Sequence, residues 1–195
     1  MYDTGFNGAS GKIIKLKYSH DNSISQDKKE YKIFEFEEFR KLNKDGSLLY
    51  ANFVTRNIFV NQKFMYIAGI NNDGQGKKAA KIETLVFKHS GFNLAELTYL
   101  NKVSFTTKGS SITDPLNLGV NLIKDPTMVQ ERLMVVAASK DAVFNAEIKM
   151  TSVKEQHGNY IDSASLESVS ITEIGCFPKF SSSEVEVDNP MIHFG

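Results

Sequence analysis

The chain has 195 residues, with 23 Lys+Arg balanced by 23 Asp+Glu, one Cys and no Trp. That length suffices for one ordinary domain with a sizeable core. The neutral balance argues against a strongly basic nucleic-acid binder and against a polyacidic tail, without excluding a local patch, and the single cysteine excludes an intrachain disulfide framework and a cysteine-only zinc site. No apolar stretch approaches the ~18–20 residues that a membrane helix needs. The opening MYDTGFNGASGK lacks a basic segment followed by an apolar run, so no secretory signal is expected.

In chain order, apolar stretches alternate with period two and are separated by short clusters of small and polar residues, the punctuation expected between strands. In KIIKLKY, Ile14, Leu16 and Tyr18 fall on one side, with Ile13 crossing over. In YKIFEFEEF, Tyr31 and Ile33 oppose Phe34 and Phe36. A short helix is expected in FEEFRKLNKDG, carried by Glu37, Glu38, Arg40 and Lys41 and closed by Gly46. FMYIAGI is continuously apolar, as is LMVVAA further on, and both fit strands buried on both faces. In KIETLVF, Ile82, Thr84 and Val86 oppose Glu83, Leu85 and Phe87. Thr113-Asp114-Pro115 is a helix-start signal. Yet Leu116, Leu118, Val120 and Leu122 alternate, and Asn117, Gly119 and Asn121 are poor helix formers, so helix and strand both stay open over 113–124. In FNAEIKM, Phe144, Ala146, Ile148 and Met150 share a face. In LESVSITEI, Leu166, Ser168, Ser170 and Thr172 alternate with Val169, Ile171 and Glu173.

There is an internal echo. Residues 62–68 resemble 130–137, and each is followed by a loop, a strand, a loop and a strand. This reads either as the general likeness of β-hairpins or as a repeated four-stranded unit, the size of a propeller blade.

The candidates for chemistry resolve to structural readings. The loop GINNDGQGKK at 69–78 has Asn71 and Lys78 where a P-loop needs glycine and Ser/Thr, and lacks the alternate acids of an EF-hand. His20, His89, His157 and His193 lie in or beside polar loops or near the C-terminus with no paired spacing, and read as surface histidines. Cys176 has no local base and reads as a buried thiol. Glu35, Glu37 and Glu38, followed by Arg40 and Lys41, read as a solvated face rather than an acid–base pair. Lys12, Lys15, Lys17, Lys28, Lys29 and Lys32 make the first third basic, with Tyr18 and Tyr31 interleaved, but the acids that follow argue against nucleic acid. No catalytic, cofactor-binding or metal-binding residue is expected, and no cofactor.

The expected fold is mainly β, an antiparallel barrel or sandwich with at most one or two short helices, or alternatively propeller blades. Its order of pieces resembles a known family. FMYIAGINNDGQGKKAAKIETLVF, then VSFTTK followed by Asp114-Pro115-Leu116, then FNAEIKMTSV and LESVSITEI, are similar to the tube-forming β-barrel proteins. That family includes the hemolysin-coregulated protein of type VI secretion and phage tail-tube proteins. The resemblance spans roughly 64–177; residues 1–62 and the ending PKFSSSEVEVDNPMIHFG have no counterpart in it. It implies a β-rich N-terminal arm at 1–62, a barrel core at 63–180 and a tail at 181–195. It further implies a non-enzymatic subunit that assembles with identical copies, and with other parts of the same apparatus, into rings or a tube. The expected location is the cytoplasm or a virion or secretion assembly, with neither membrane nor nucleic acid as partner. The alternative is a propeller-type scaffold for protein interactions. The charge mixture suits contact between copies: a Lys-rich first strand, acids at Glu35–38, and acids again at Glu184, Glu186 and Asp188.

Overall fold

The computed structural model describes residues 2–17, 30–71, 81–91, 94–107, 118–124, 132–139, 142–155 and 158–173. These residues form three antiparallel sheets. The first has the order β1 (Tyr2–Asn7), β2 (Lys12–Lys17), β3 (Glu30–Glu35). The second joins β4 (Phe53–Val60), β5 (Phe64–Asn71), β6 (Lys81–His89) and β7 (Leu97–Thr106) in sequence order. The third joins β8 (Gly119–Lys124), β9 (Arg132–Ala138), β10 (Ala142–Lys154) and β11 (Tyr160–Glu173), again as a meander.

The mainly β fold expected from alternation is the fold observed, and the second sheet is its centre. Every residue of β5 is buried, because the two faces of this sheet meet different partners. One face carries Tyr66, Ala68, Ile70, Ile82 and Val86 and packs on the third sheet through Val120, Leu122, Val135, Phe144 and Ile148. The opposite face carries Met65, Ile67, Leu85 and Phe87 and packs on the first sheet through Phe6, Ile13 and Phe34. The continuous apolar run FMYIAGI is thus the signature of a strand covered on both sides.

The echo corresponds to the two four-stranded meanders. They close on each other as a sandwich instead of standing side by side as blades. At one seam the Asn57 Nδ2 of β4 donates to Asn121 Oδ1 of β8 at 2.7 Å. At the other, the Asn101 amide of β7 acts as a short piece of β-ladder for β11. Its Nδ2 donates to the Ala164 carbonyl at 2.7 Å, and its Oδ1 accepts from the Ala164 N–H at 3.0 Å. Lys88 reaches Asp162 beside it, at 2.7 Å.

Three strands carry a bulge, and each bulge decides which side chains face inward. In β4 the ladder steps from Thr55 to Asn57, so Phe53 and Ile58 both face the first sheet while Phe59 faces the third. In β7 it skips Leu100, so Tyr99 faces the first sheet and Val103 the third. In β11 it skips Glu167, which places Val169 opposite Ala146 and Ile171 opposite Phe144, on the same face as Leu166. Alternation alone assigns Leu166 to the other face from Val169 and Ile171.

Other expectations shift in detail. The buried residue of KIIKLKY is Ile13, and Ile14 faces outward; in the next strand Phe34 is inward and Ile33 exposed. The short helix is a single 3-10 turn, Glu37–Arg40, with Phe39 buried beneath it. Gly46, at φ +83°, closes the turn begun by Asn43. Over 113–124, Gly119–Lys124 is strand; 113–117 lie outside the described residues. The GINNDGQGKK loop starts later than expected, since residues 69–71 belong to β5, and 72–80 lie outside the described residues. The boundary drawn at residue 62 falls in the β4–β5 turn, with β4 already part of the central sheet. Residues 181–195 lie outside the described residues.

Candidate functional site

The most chemically distinctive place in the described residues is a buried charge cluster on the central sheet's inner face, beneath the N-terminal layer. Its hub is Glu83 of β6, whose side chain is 0% exposed. The period-two face that carries Leu85 and Phe87 also carries Glu83, so the carboxylate enters an otherwise apolar contact. Three donors meet it there. Lys81 Nζ and Lys102 Nζ each lie 3.0 Å from Oε1, and Asn71 Nδ2 donates to Oε2 at 2.9 Å. Lys81 and Asn71 face each other across the β5–β6 ladder, and Lys102 comes from β7, so three adjacent strands build the cluster.

Burial pushes the Glu83 carboxyl up, but the hydrogen bonds from Asn71, Lys102 and Lys81 outweigh it, and the group ionises below its usual range. A carboxylate held this way is a poor proton acceptor near neutral pH. Its chemistry is used up in holding strands together. The ammonium of Lys102 also sits over the Tyr50 ring, 5.4 Å from its centre. Tyr50 and Tyr99 share a side-chain hydrogen bond; burial pushes Tyr50 far above its ordinary range and Tyr99 up to about 12. Both stay protonated at any physiological pH.

An aromatic cluster surrounds these groups. Phe39 stands at its middle, with ring centres of Phe6 at 5.1 Å, Tyr50 at 5.2 Å, Tyr99 at 5.3 Å and Phe87 at 5.9 Å, all tilted or edge-on. Gly11, at φ +63°, lets the β1–β2 turn approach the Phe39 backbone; a Cβ there would stand 2.8 Å from the Phe39 carbonyl oxygen. The 3-10 turn and the β1–β2 turn thus close over the same ring.

The residues weighed from the sequence fall elsewhere. Glu35 is an exposed ion-pair centre, bonded to Lys12 at 2.8 Å and to Arg40. The hydrogen bonds from Lys12 and Arg40 hold its carboxyl below the usual range. Part of the basic first third and the acids at 35–38 are therefore matched within one chain. Glu37 is exposed and Glu38 half-buried, with no described constellation joining them to Glu35. His89 is a correction: it is buried, not on the surface. Its ring sits between two backbone carbonyls, Nδ1 at 2.8 Å from Gly91 O and Nε2 at 2.8 Å from Asn61 O. Its own N–H donates to Lys63 O at 3.0 Å, so the residue ties the β4–β5 turn to the end of β6. His20, His157, His193 and Cys176 lie outside the described residues. Among the described residues no group of His, Cys, Asp and Glu has the geometry to hold a metal ion, and no helix is long and apolar enough to cross a membrane.

Alternation in KIETLVF did not single out Glu83; the signal that could have found it is an acid sharing a period-two face with Leu85 and Phe87. Such a residue needs buried partners, and those partners are not neighbours in sequence.

A second feature is on the surface. The β10–β11 hairpin is the longest element described, and its tip exposes Val153, Tyr160 and Ile161. Among the described residues, β10 runs beyond its last pairing with β9, at Lys149, to Lys154. At the other end of the hairpin Val169 and Ile171 are exposed on the last strand of the sheet.

No family model, curated protein or solved structure matches the chain.

Proposed function

We propose that this chain is a non-enzymatic structural subunit that assembles with copies of itself into rings or a tube. The observation that carries the reading is the β10–β11 hairpin. It lies at the edge of a sheet and exposes large apolar side chains at both ends, Val153, Tyr160 and Ile161 at the tip and Val169 and Ile171 at the base. An open strand edge beside exposed β-branched residues is a template for another chain. The rest of the chemistry supports the same reading. Glu83 is spent on internal ion pairs, and the described histidine is engaged by backbone.

The finer form of the proposal follows the sequence resemblance over 64–177: a ring-forming subunit of a hollow tube, as in a phage tail or a contractile secretion apparatus. Electron microscopy and light scattering of the full chain at high concentration test it. Rings or stacked rings are the expected result. A monodisperse monomer with no rings overturns it.

A further inference from the structure

Among the described residues, the outer edge of β11 differs from that of β3. β3 carries Glu30, Lys32 and Glu35 along its length, the charged protection common on exposed edges. β11 has no such protection over residues 168–172. Its first half is fastened to β6 through Asp162 and to β7 through Ala164, but from Glu167 to Thr172 every residue is exposed. Residues 168–172 read Ser-Val-Ser-Ile-Thr, without charge or proline, and the bulge at Glu167 lies just before them. Val169 is 42% and Ile171 47% exposed, and both continue the face of Ala146 and Phe144, so the core's apolar face runs on past the last strand.

The pattern of this stretch is the same in both directions from Ser170: a hydroxyl residue at the centre, a β-branched apolar residue on each side, then a hydroxyl residue. An antiparallel strand of that same pattern is its natural complement, because a two-fold contact sets residue i against j and j against i. We propose that the β11 edge pairs antiparallel with β11 of a second copy, centred on Ser170. Val169 of each copy then lies opposite Ile171 of the other, and Ser168 opposite Thr172. The four apolar side chains gather on the core side, and the third sheet becomes one eight-stranded sheet shared by two chains. The inference rests on the self-assembly reading and names one contact between two copies; being two-fold it closes a dimer, so a ring is built from such dimers through a second, head-to-tail contact.

Cysteine placement in the full chain tests it, in a Cys176→Ser background. Directly opposed residues in an antiparallel pair have Cα atoms about 4.5–5.5 Å apart, within the ~4.4–6.8 Å that a disulfide spans. Ser170→Cys should therefore form a disulfide-linked dimer under mild oxidation. Ser168→Cys alone should not, and a mixture of Ser168→Cys with Thr172→Cys chains should link. Ile171→Lys, which sets a charge against the apolar row, should abolish the dimer in sedimentation while leaving the far-ultraviolet spectrum of the fold unchanged. Failure of Ser170→Cys to link overturns the proposal. So does a monomer whose 168–172 amides resist hydrogen exchange, since the chain's own C-terminal segment then occupies the edge. Linked dimers without rings keep this contact and overturn the ring reading; rings that never link at residue 170 do the reverse.

Discussion

The two faces of the central sheet are built from different materials. The face toward β8–β11 is packed mainly with aliphatic and small side chains, Ala68, Ile70, Val86, Val135, Ala146 and Ile148 among them, with the rings of Tyr66, Phe105 and Phe144 set between them, and its seams are fastened by asparagine amides. The face toward the N-terminal layer is packed with rings around Phe39 and contains the ionised Glu83. A broad, mainly aliphatic core between two packed meanders spreads its contacts over many residues. The N-terminal layer concentrates its attachment on a few rings and one carboxylate. The difference implies that the sandwich is the independent body, and that the layer over it is held at a small number of points and released as a unit.

Phe39→Ala breaks the comparison most sharply. Removing a fully buried ring costs about 4 kcal/mol, and the loss should fall on one side. Hydrogen exchange should deprotect β1–β3 while β5, β6, β9 and β10 stay protected. Phe144→Ala, equally buried but on the other face, should instead lower the protection of the whole molecule. Equal global loss in both variants would erase the distinction.

Glu83→Gln comes next, at about 3 kcal/mol, because it leaves two ammonium groups around a site that no longer answers their charge. Its sign with pH is fixed. Glu83 ionises lower in the folded chain than the ordinary ~4.3 of an unfolded glutamate. Its contribution is thus fully present above that value and is lost as pH falls through the folded pKa. The wild type should therefore lose stability more steeply than Glu83→Gln when acidified below about pH 4.3. Parallel acid profiles would show that the carboxylate is not ionised by its partners.

Gly69→Ala should cost about 2 kcal/mol. A Cβ there would stand 2.3 Å from the Val54 carbonyl oxygen and 2.6 Å from the Phe53 ring, so β4 and β5 must part. Asn101→Ala should cost about 1 kcal/mol by leaving the Ala164 backbone without its side-chain ladder. Thermal denaturation of the two variants orders them. A larger effect for Asn101 would make the seam, not the strand packing, the fastening of the sandwich. The Lys88–Asp162 pair next to it, whose lysine is half exposed, should be worth no more than about 1 kcal/mol.

How much of this the sequence held can be read from single residues. The apolar run from Phe64 to Ile70 announced a strand covered on both faces, while the echo at 130–137 left a repeated four-stranded unit and a mere likeness of hairpins both open, and the structure has two four-stranded meanders. Alternation at Phe144, Ala146 and Ile148 placed the inner face of β10 correctly. It did not distinguish Ile13 from Ile14, because both are apolar and only the position of the central sheet decides which is covered. It misplaced Val169 and Ile171 relative to Leu166, because the bulge at Glu167 leaves no mark in composition. Alternation did not single out the charge cluster. Glu83 shares a period-two face with Leu85 and Phe87, while Lys102 and Tyr50 reach it only through tertiary packing.

Whether copies of this chain join is the central claim, and sedimentation velocity of the full chain across a wide concentration range, read together with micrographs of the same samples, tests it most directly. The account predicts mass action toward larger species that appear as rings or stacked rings. A single monomeric boundary at every concentration, with no ordered particles in the micrographs, would contradict it.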